Sequence, residues 1–267
     1  MLLENKHAVI YGAGGSIGGT VARVFADEGA TVFLAGRTLS ALERIAEEIS
    51  ATGGSVETAE VDALDEQAVE RHLDDVVGRT GGVDVSFNAI SIRGELQGTP
   101  LIRMALEDFR LPITMGVETH FLTAGAAARH MVERGSGVIL TLTASASRLA
   151  GPLMGGFGVA CAAIESFTRC LAGEVGPQGV RVVGLRSEGI PETWNGEFRD
   201  HVFDPPGDGY GAGMSRRELQ AHLEGMTMLR RLPTLAELAN VAAFVASDHA
   251  SAITGSVANL TCGSVAD

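Results

Sequence analysis

The chain of 267 residues carries 33 Asp and Glu against 20 Lys and Arg, a formal net charge of −13, which repels nucleic acid and anionic membrane and argues against both as partners. Hydrophobic residues at 45% and charged residues at 20% are ordinary for a soluble globule, expected here as one α/β domain over 1–267. The three cysteines have no CxxC or finger spacing; with no basic-then-apolar signal and no apolar run of membrane-span length, they predict a cytoplasmic protein with no metal site.

Short apolar runs alternate with longer stretches of helical period. Strands are expected at 7–11, 31–35, 55–61, 83–88, 137–143, 180–186 and 256–260, and most read as nearly continuous apolar, β-branched runs, the pattern of strands buried on both faces. Helix 17–28 places Ile17, Val21, Val24 and Phe25 on one face, 39–50 does the same with Leu42, Ile45 and Ile49, and 65–77 with Val69, Leu73 and Val76, with Asp65 as its N-cap. Two longer helices are expected at about 107–133 and 157–175, and a last one at 235–246. Such alternation implies a doubly wound sheet of parallel strands with right-handed crossovers. Residues 191–225, which include DPPGDGYGAG, break the regularity and read as a lid over a substrate pocket.

The segment AVIYGAGGSIGG joins the first strand to the first helix. Gly12, Gly14 and Gly18 allow backbone N–H groups to approach a pyrophosphate, and the helix N-terminus adds a favourable dipole. The second strand ends FLAGRT. Where an acidic residue would hold a ribose diol there is Gly36 and then Arg37, a guanidinium suited to a 2′-phosphate, so NADP(H) is expected over NAD(H). Asp62, followed by Ala63, is placed to accept from an adenine amino group. Asn88 and Ala89 end the fourth strand, on the side where open α/β sheets place ligands.

Taken together, these segments resemble the short-chain dehydrogenase/reductase family over nearly the whole chain. YGAGGSIG (Tyr11–Gly18) is similar to the family's T-G-x-x-x-G-I-G turn, with Ser16 for its middle Gly and Ile17 retained. FNAI is similar to the N-N-A-G strand end, and EGIPET to P-G-x-x-x-T, keeping Gly189 and Thr193 with Glu188 for Pro. The resemblance implies a seven-stranded Rossmann fold with helices on both faces, a nicotinamide cofactor, a small-molecule substrate, and a homotetramer or homodimer built on the two long helices. It also implies Asn-Ser-Tyr-Lys chemistry, in which Tyr gives a proton to a carbonyl as hydride arrives.

Aligned on the Y-x-x-x-K helix, this chain has Phe157 for Tyr, Cys161 for Lys, Ala144 for Ser and Gly116 for Asn. A slip of one residue offers Ser145 for the Ser position, and His120, one turn beyond Gly116, is the first candidate for a displaced acid–base group. Glu165 is expected to face solvent or a neighbouring subunit, and Tyr210 falls in the lid. Three readings stand. The first is an NADP(H)-dependent oxidoreductase with a non-standard proton site acting on an enone, quinone or carbonyl. The second is a catalytically inactive cofactor-binding protein, a sensor or partner subunit, and the last is a lyase or isomerase.

Overall fold

The computed structural model describes residues 1–149, 154–194 and 215–267. Seven parallel strands, β1 (His7–Tyr11), β2 (Thr31–Gly36), β3 (Ser55–Glu60), β4 (Val85–Asn88), β5 (Gly137–Ala144), β6 (Val180–Ser187) and β7 (Ser256–Leu260), form one sheet in the order β3-β2-β1-β4-β5-β6-β7. One face is covered by α1 (Ser16–Asp27), α2 (Leu39–Ala51) and α8 (Leu235–Ala246), the other by α3 (Glu66–Thr80), α5 (Thr119–Arg134) and α6 (Gly155–Val175). Along β1, Ala8 and Ile10 join the first core with Phe25, Ile45 and Leu238, while Val9 and Tyr11 join the second with Leu73 and Met131. This period-two alternation, apolar on both sides, is what a sheet between two helix layers requires. The seven-stranded Rossmann architecture expected from the sequence is the one observed.

β3 is an exception to burial on both faces. It is an edge strand, and each of its residues is exposed or half-buried. The long helix expected at 107–133 is broken into α4 (Leu106–Ile113), which contains Pro112, a π-helical turn over Thr114–Glu118, and α5. Such a turn offsets the backbone hydrogen-bond ladder, and the Gly116 carbonyl within it accepts from His120 Nδ1 at 2.6 Å.

Part of the stretch expected as a lid is a helix, α7 (Arg216–Met226), started by a capping box in which Ser215 and Glu218 satisfy each other's backbone N–H groups. Residues 195–214, with Tyr210, lie outside the described residues. Asp65 caps α3 as expected, its Oδ1 accepting from Ala68 N at 3.0 Å. Among the described residues no helix is long and apolar enough to cross a membrane.

Candidate active-site cleft

The strand order reverses between β1 and β4, and there the C-terminal ends of the strands open into a cleft of about 1120 Å³. Its floor is the turn after β1. Gly12 has φ +75°, and a Cβ there would lie 2.9 Å from the Ala89 carbonyl carbon and oxygen. A Cβ on Gly18 would lie 2.5 Å from the Gly12 oxygen. The two glycines therefore permit the turn and the close approach of α1 to it, while Gly14, Gly15, Ser16 and Ile17 face the cleft. Gly15 is the α1 N-cap, gives no side-chain acceptor, and is followed by no acidic residue in the first turn. The positive end of the helix is thus left for an anion from outside, and the cradle fits a dinucleotide pyrophosphate.

Arg37 stands exposed on the wall just beyond β2 and makes no ion pair among the described residues. Asp62 and Ala63 line the same end, and Asp62 Oδ1 accepts from Leu64 N at 3.0 Å. Ala89, Gly189 and Thr193 also line the cleft. Asn88 does not. It is buried behind the wall, donating from Nδ2 to Thr123 Oγ1 at 3.1 Å and accepting from Ile90 N at 3.0 Å, so it holds the Ala89–Ile90 turn in shape from behind. Gly18 is likewise off the wall.

At the other end, Gly116, Ala144, Phe157 and Cys161, the residues that the sequence reading aligns with the family's relay, lie in or against an apolar cluster. Cys161, Ile92, Ala146, Ala160 and Ile164 are buried together, with Ala144, Met154 and Phe157 packed against them. Gly116 belongs to the same packing: a Cβ there would meet Ile92 Cγ2 at 3.0 Å and Ile164 Cδ1 at 3.3 Å, so the volume of a larger side chain is already occupied. Ala144, Ser145 and Phe157 reach the cleft wall, whereas Gly116, His120 and Cys161 do not. Burial pushes the Cys161 thiol up to about 12, leaving it neutral.

His120, the first candidate for a displaced acid–base group, is wholly buried with both ring nitrogens engaged. Nδ1 donates to the Gly116 carbonyl at 2.6 Å and Nε2 accepts from Leu142 N at 3.2 Å, beyond the last β4–β5 pair, Phe87–Leu140. Burial pushes its pKa down to about 4, so it is a neutral strut between α5 and β5 and has no proton to offer the cleft. Glu165, expected at the surface, is buried instead: Arg186 and Ser147 occupy its oxygens. The helical spacing put it one turn past Cys161, and the buried arginine on β6 that draws it inward gave no periodic signal.

Arg93, Gln97, Glu188 and Trp194 also line the cleft, and the sequence reading gave none of them a role in the site. Glu188 is committed internally, accepting from Gly189 N at 3.0 Å and from Ser264 Oγ. Arg93 betrays itself only in the structure, by a left-handed backbone with φ 61°. Among the described residues no group of three or more His, Cys, Asp or Glu is placed to hold a metal ion.

A family model described as short chain dehydrogenase matches residues 6–199. The uncharacterized oxidoreductase YxbG of Bacillus subtilis is 30% identical, covering 95% of this chain and 88% of its own. Among solved structures, NAD+-bound xylitol dehydrogenase is 25% identical with a TM-score of 0.87, covering 98% of this chain and 100% of its own. A 7α-hydroxysteroid dehydrogenase complexed with NADH and 7-oxo glycochenodeoxycholic acid is 28% identical with a TM-score of 0.84, covering 98% and 94%. The match over residues 6–199, on a parallel seven-stranded sheet with a glycine cradle at its switch point, establishes that this chain belongs to the short-chain dehydrogenase/reductase family of oxidoreductases.

Proposed function

We propose that the protein is an NADP(H)-dependent oxidoreductase that reduces a small, largely apolar substrate without a side-chain proton donor at the reacting carbon. A conjugated enone or quinone meets that condition better than an isolated ketone. The observation that carries the reading is a single cleft with the phosphate turn and Arg37 at one end and Phe157 and Ala144 at the other. When bound, the dinucleotide supplies a hydride. The turn residues Gly12, Gly14, Ser16 and Ile17 hold its pyrophosphate, Arg37 forks the 2′-phosphate, Asp62 accepts from the adenine amino group, and Ala89, Gly189 and Thr193 wall the nicotinamide half.

At the reacting end the apolar cluster excludes water, which strengthens whatever charge–dipole interactions remain there. The loss of a positioned general acid lowers the rate by about 10²–10⁴. That loss weighs on a ketone, which needs its oxygen protonated, more than on a conjugated acceptor that spreads the incoming charge. The related xylitol and 7α-hydroxysteroid dehydrogenases are described with NAD+ and NADH; the preference for the phosphorylated cofactor here rests on Arg37. Phe121, 60% exposed on α5, stacks edge-on with Phe167 of α6 at 6.4 Å, an apolar helix surface that supports a homodimer or homotetramer built there. The cysteines are all free thiols, as a reducing compartment such as the cytoplasm keeps them.

The test is to mix purified protein with NADPH and a panel of enones, quinones and ketones and follow the absorbance of the reduced nicotinamide. Oxidation is expected with enones or quinones and not with simple ketones. A second reading, a cofactor-binding protein without turnover, is favoured by the tight packing around Gly116. Tight NADPH binding with no oxidation across the panel decides for it.

A further inference from the structure

We propose that Arg23 and Arg44, bridged by Glu48, form a second contact for the ribose phosphate of the cofactor beside Arg37. The proposal deepens the NADP(H) reading above and rests on it. The nucleotide end of the cleft does not stop at the phosphate turn. It runs on as a groove between α1 and α2, walled by Thr20 and Arg23 on one helix and by Ala41, Arg44 and Ile45 on the other. The two helices meet at glycines. A Cβ on Gly14 would lie 3.1 Å from Ala41 Cβ, and one on Gly19 would lie 3.0 Å from Ile45 Cδ1, 3.2 Å from the Ala13 oxygen and 3.5 Å from Arg23 Nη1. The last two distances place the Arg23 guanidinium against the first turn of α1, alongside the phosphate turn. On α2, Arg44 stands three residues past Ala41 and shares its face, next to the same turn.

One carboxylate holds both guanidiniums. Arg23 donates from Nε to Glu48 Oε2 at 2.7 Å, and Arg44 donates from Nη1 to Glu48 Oε1 at 3.1 Å. The Arg23 guanidinium holds the Glu48 carboxyl below the usual carboxylate range. Glu48 itself is off the cleft wall, while both arginines are on it. Exposed ion pairs add little to stability, so a brace between helices explains the bridge poorly. What it fixes is direction, since two long side chains share one anchor. The bridge takes Nε and Nη2 of Arg23 and Nη1 of Arg44, which leaves further donors on each for a phosphate oxygen. The charges then balance. A phosphate monoester carries about −2 at neutral pH. Arg37 supplies one positive charge, and the bridged trio supplies a second once Glu48 is set against its arginines. Among the described residues lining this end, Asp62 alone has the opposite sign, in a chain whose net charge is −13. Cations gathered on a concave wall focus the field on an incoming anion, and guanidiniums match phosphate oxygens in planar pairs.

The experiment separates the second contact from the reading beneath it. Two ligands are titrated by calorimetry: adenosine 2′,5′-bisphosphate and adenosine 5′-monophosphate, which lacks only the 2′-phosphate. Wild type is expected to bind the bisphosphate more tightly, with a preference that shrinks as salt is raised. Arg44→Met and Arg23→Met are each expected to cut that preference about tenfold, by weakening the bisphosphate alone. Affinity for the monophosphate and the melting temperature stay as in wild type, which shows that the cradle is intact. Arg44→Lys restores part of the preference, since an ammonium keeps the charge and loses the fork. An unchanged preference in both methionine variants overturns the second contact. Equal weakening of the two ligands overturns it as well, because the bridge is then only a brace for the turn. If these variants leave the preference intact while Arg37→Ala removes it, the second contact falls and the NADP(H) reading stands. A wild-type protein that binds the two ligands alike removes that reading, and the second contact with it.

Discussion

Arg186 meets Glu165 through two hydrogen bonds, Nε to Oε1 at 2.7 Å and Nη2 to Oε2 at 2.9 Å, with both side chains almost wholly out of water. The remaining guanidinium nitrogen, Nη1, donates to Asp267 Oδ1 at 2.6 Å, and Ser147 Oγ donates to Glu165. The pair thus ties α6 to β6, to the turn after β5, and to the last residue of the chain, and it holds the Asp267 carboxyl below the usual carboxylate range.

A charge stripped of its partner here has no water to turn to. Glu165→Leu and Arg186→Met are each expected to cost about 3–5 kcal/mol, while the double variant recovers most of that loss because two apolar groups replace two matched charges. Urea denaturation of the three variants measures this. Additive losses in the double variant would show that the groups do not act as a pair.

His120 gives the fold a signature in acid. Its pKa is pushed from 6.5 down to about 4, chiefly by burial, with the Gly116 hydrogen bond opposing. Between these values the unfolded chain takes a proton that the folded one refuses. Stability attributable to this group is therefore intact above pH 6.5 and is lost as pH falls toward 4, by up to about 3 kcal/mol. His120→Leu is expected to be less stable at neutral pH, since Gly116 O and Leu142 N lose their partner, but to show a flatter acid limb in denaturation midpoints. A limb as steep as that of wild type would assign the acid sensitivity to other groups, His72 among them, whose pKa burial also lowers.

The layers of the fold could be read from the chain because their signal is local and repeated. Val9 and Ile10 bury opposite faces of one strand, and Val69, Leu73 and Val76 fall on one helical stripe. The glycine cradle was legible for a similar reason, since a strand, a turn and an amphipathic helix follow one another directly. What the pattern hid depends on partners distant in sequence. Glu165 reads as a solvent-facing charge until Arg186 arrives from β6. Asn88 reads as a ligand residue until Thr123 and Ile90 take its amide. The α7 helix was missed although Ser215 and Glu218 spell a capping box, because the glycine- and proline-rich run before it carries the stronger local signal.

Gly116, Cys161 and Phe157, which the sequence reading aligns with the family's Asn, Lys and Tyr, are expected to resist substitution by those residues. Gly116→Asn forces a Cβ to within 3.0 Å of Ile92 Cγ2 and 3.3 Å of Ile164 Cδ1, an overpacking that costs about 1–3 kcal/mol. Cys161→Lys places an ammonium at a site with 0% exposure and is expected to cost several kcal/mol or to leave the amine neutral. Phe157→Tyr, on the half-exposed wall, keeps the fold but is not expected to produce ketone reduction, because neutral, buried Cys161 stands one helical turn on, where the sequence reading aligns the family's lysine. Thermal melts and NADPH-dependent ketone reduction of the three variants check this. Brisk ketone turnover by Phe157→Tyr alone would mean that the proton path survives by another route.

The nucleotide end should separate two effects that the reaction end mixes. Arg37→Ala removes only a charge from an exposed wall, so stability is expected to hold while NADPH affinity falls about ten- to a hundredfold, the worth of lost hydrogen bonds to a charged group, and NADH affinity stays as it was. Gly18→Ala acts on the backbone instead. Its Cβ would fall 2.5 Å from the Gly12 oxygen, so α1 must move away from the turn, and both dinucleotides should lose affinity together with a drop in melting temperature. Calorimetric titration of each variant with NADPH and NADH distinguishes the outcomes. If Arg37→Ala weakens the two cofactors equally, the guanidinium is not reading a 2′-phosphate, and the expected preference for NADP(H) fails while the cradle stands.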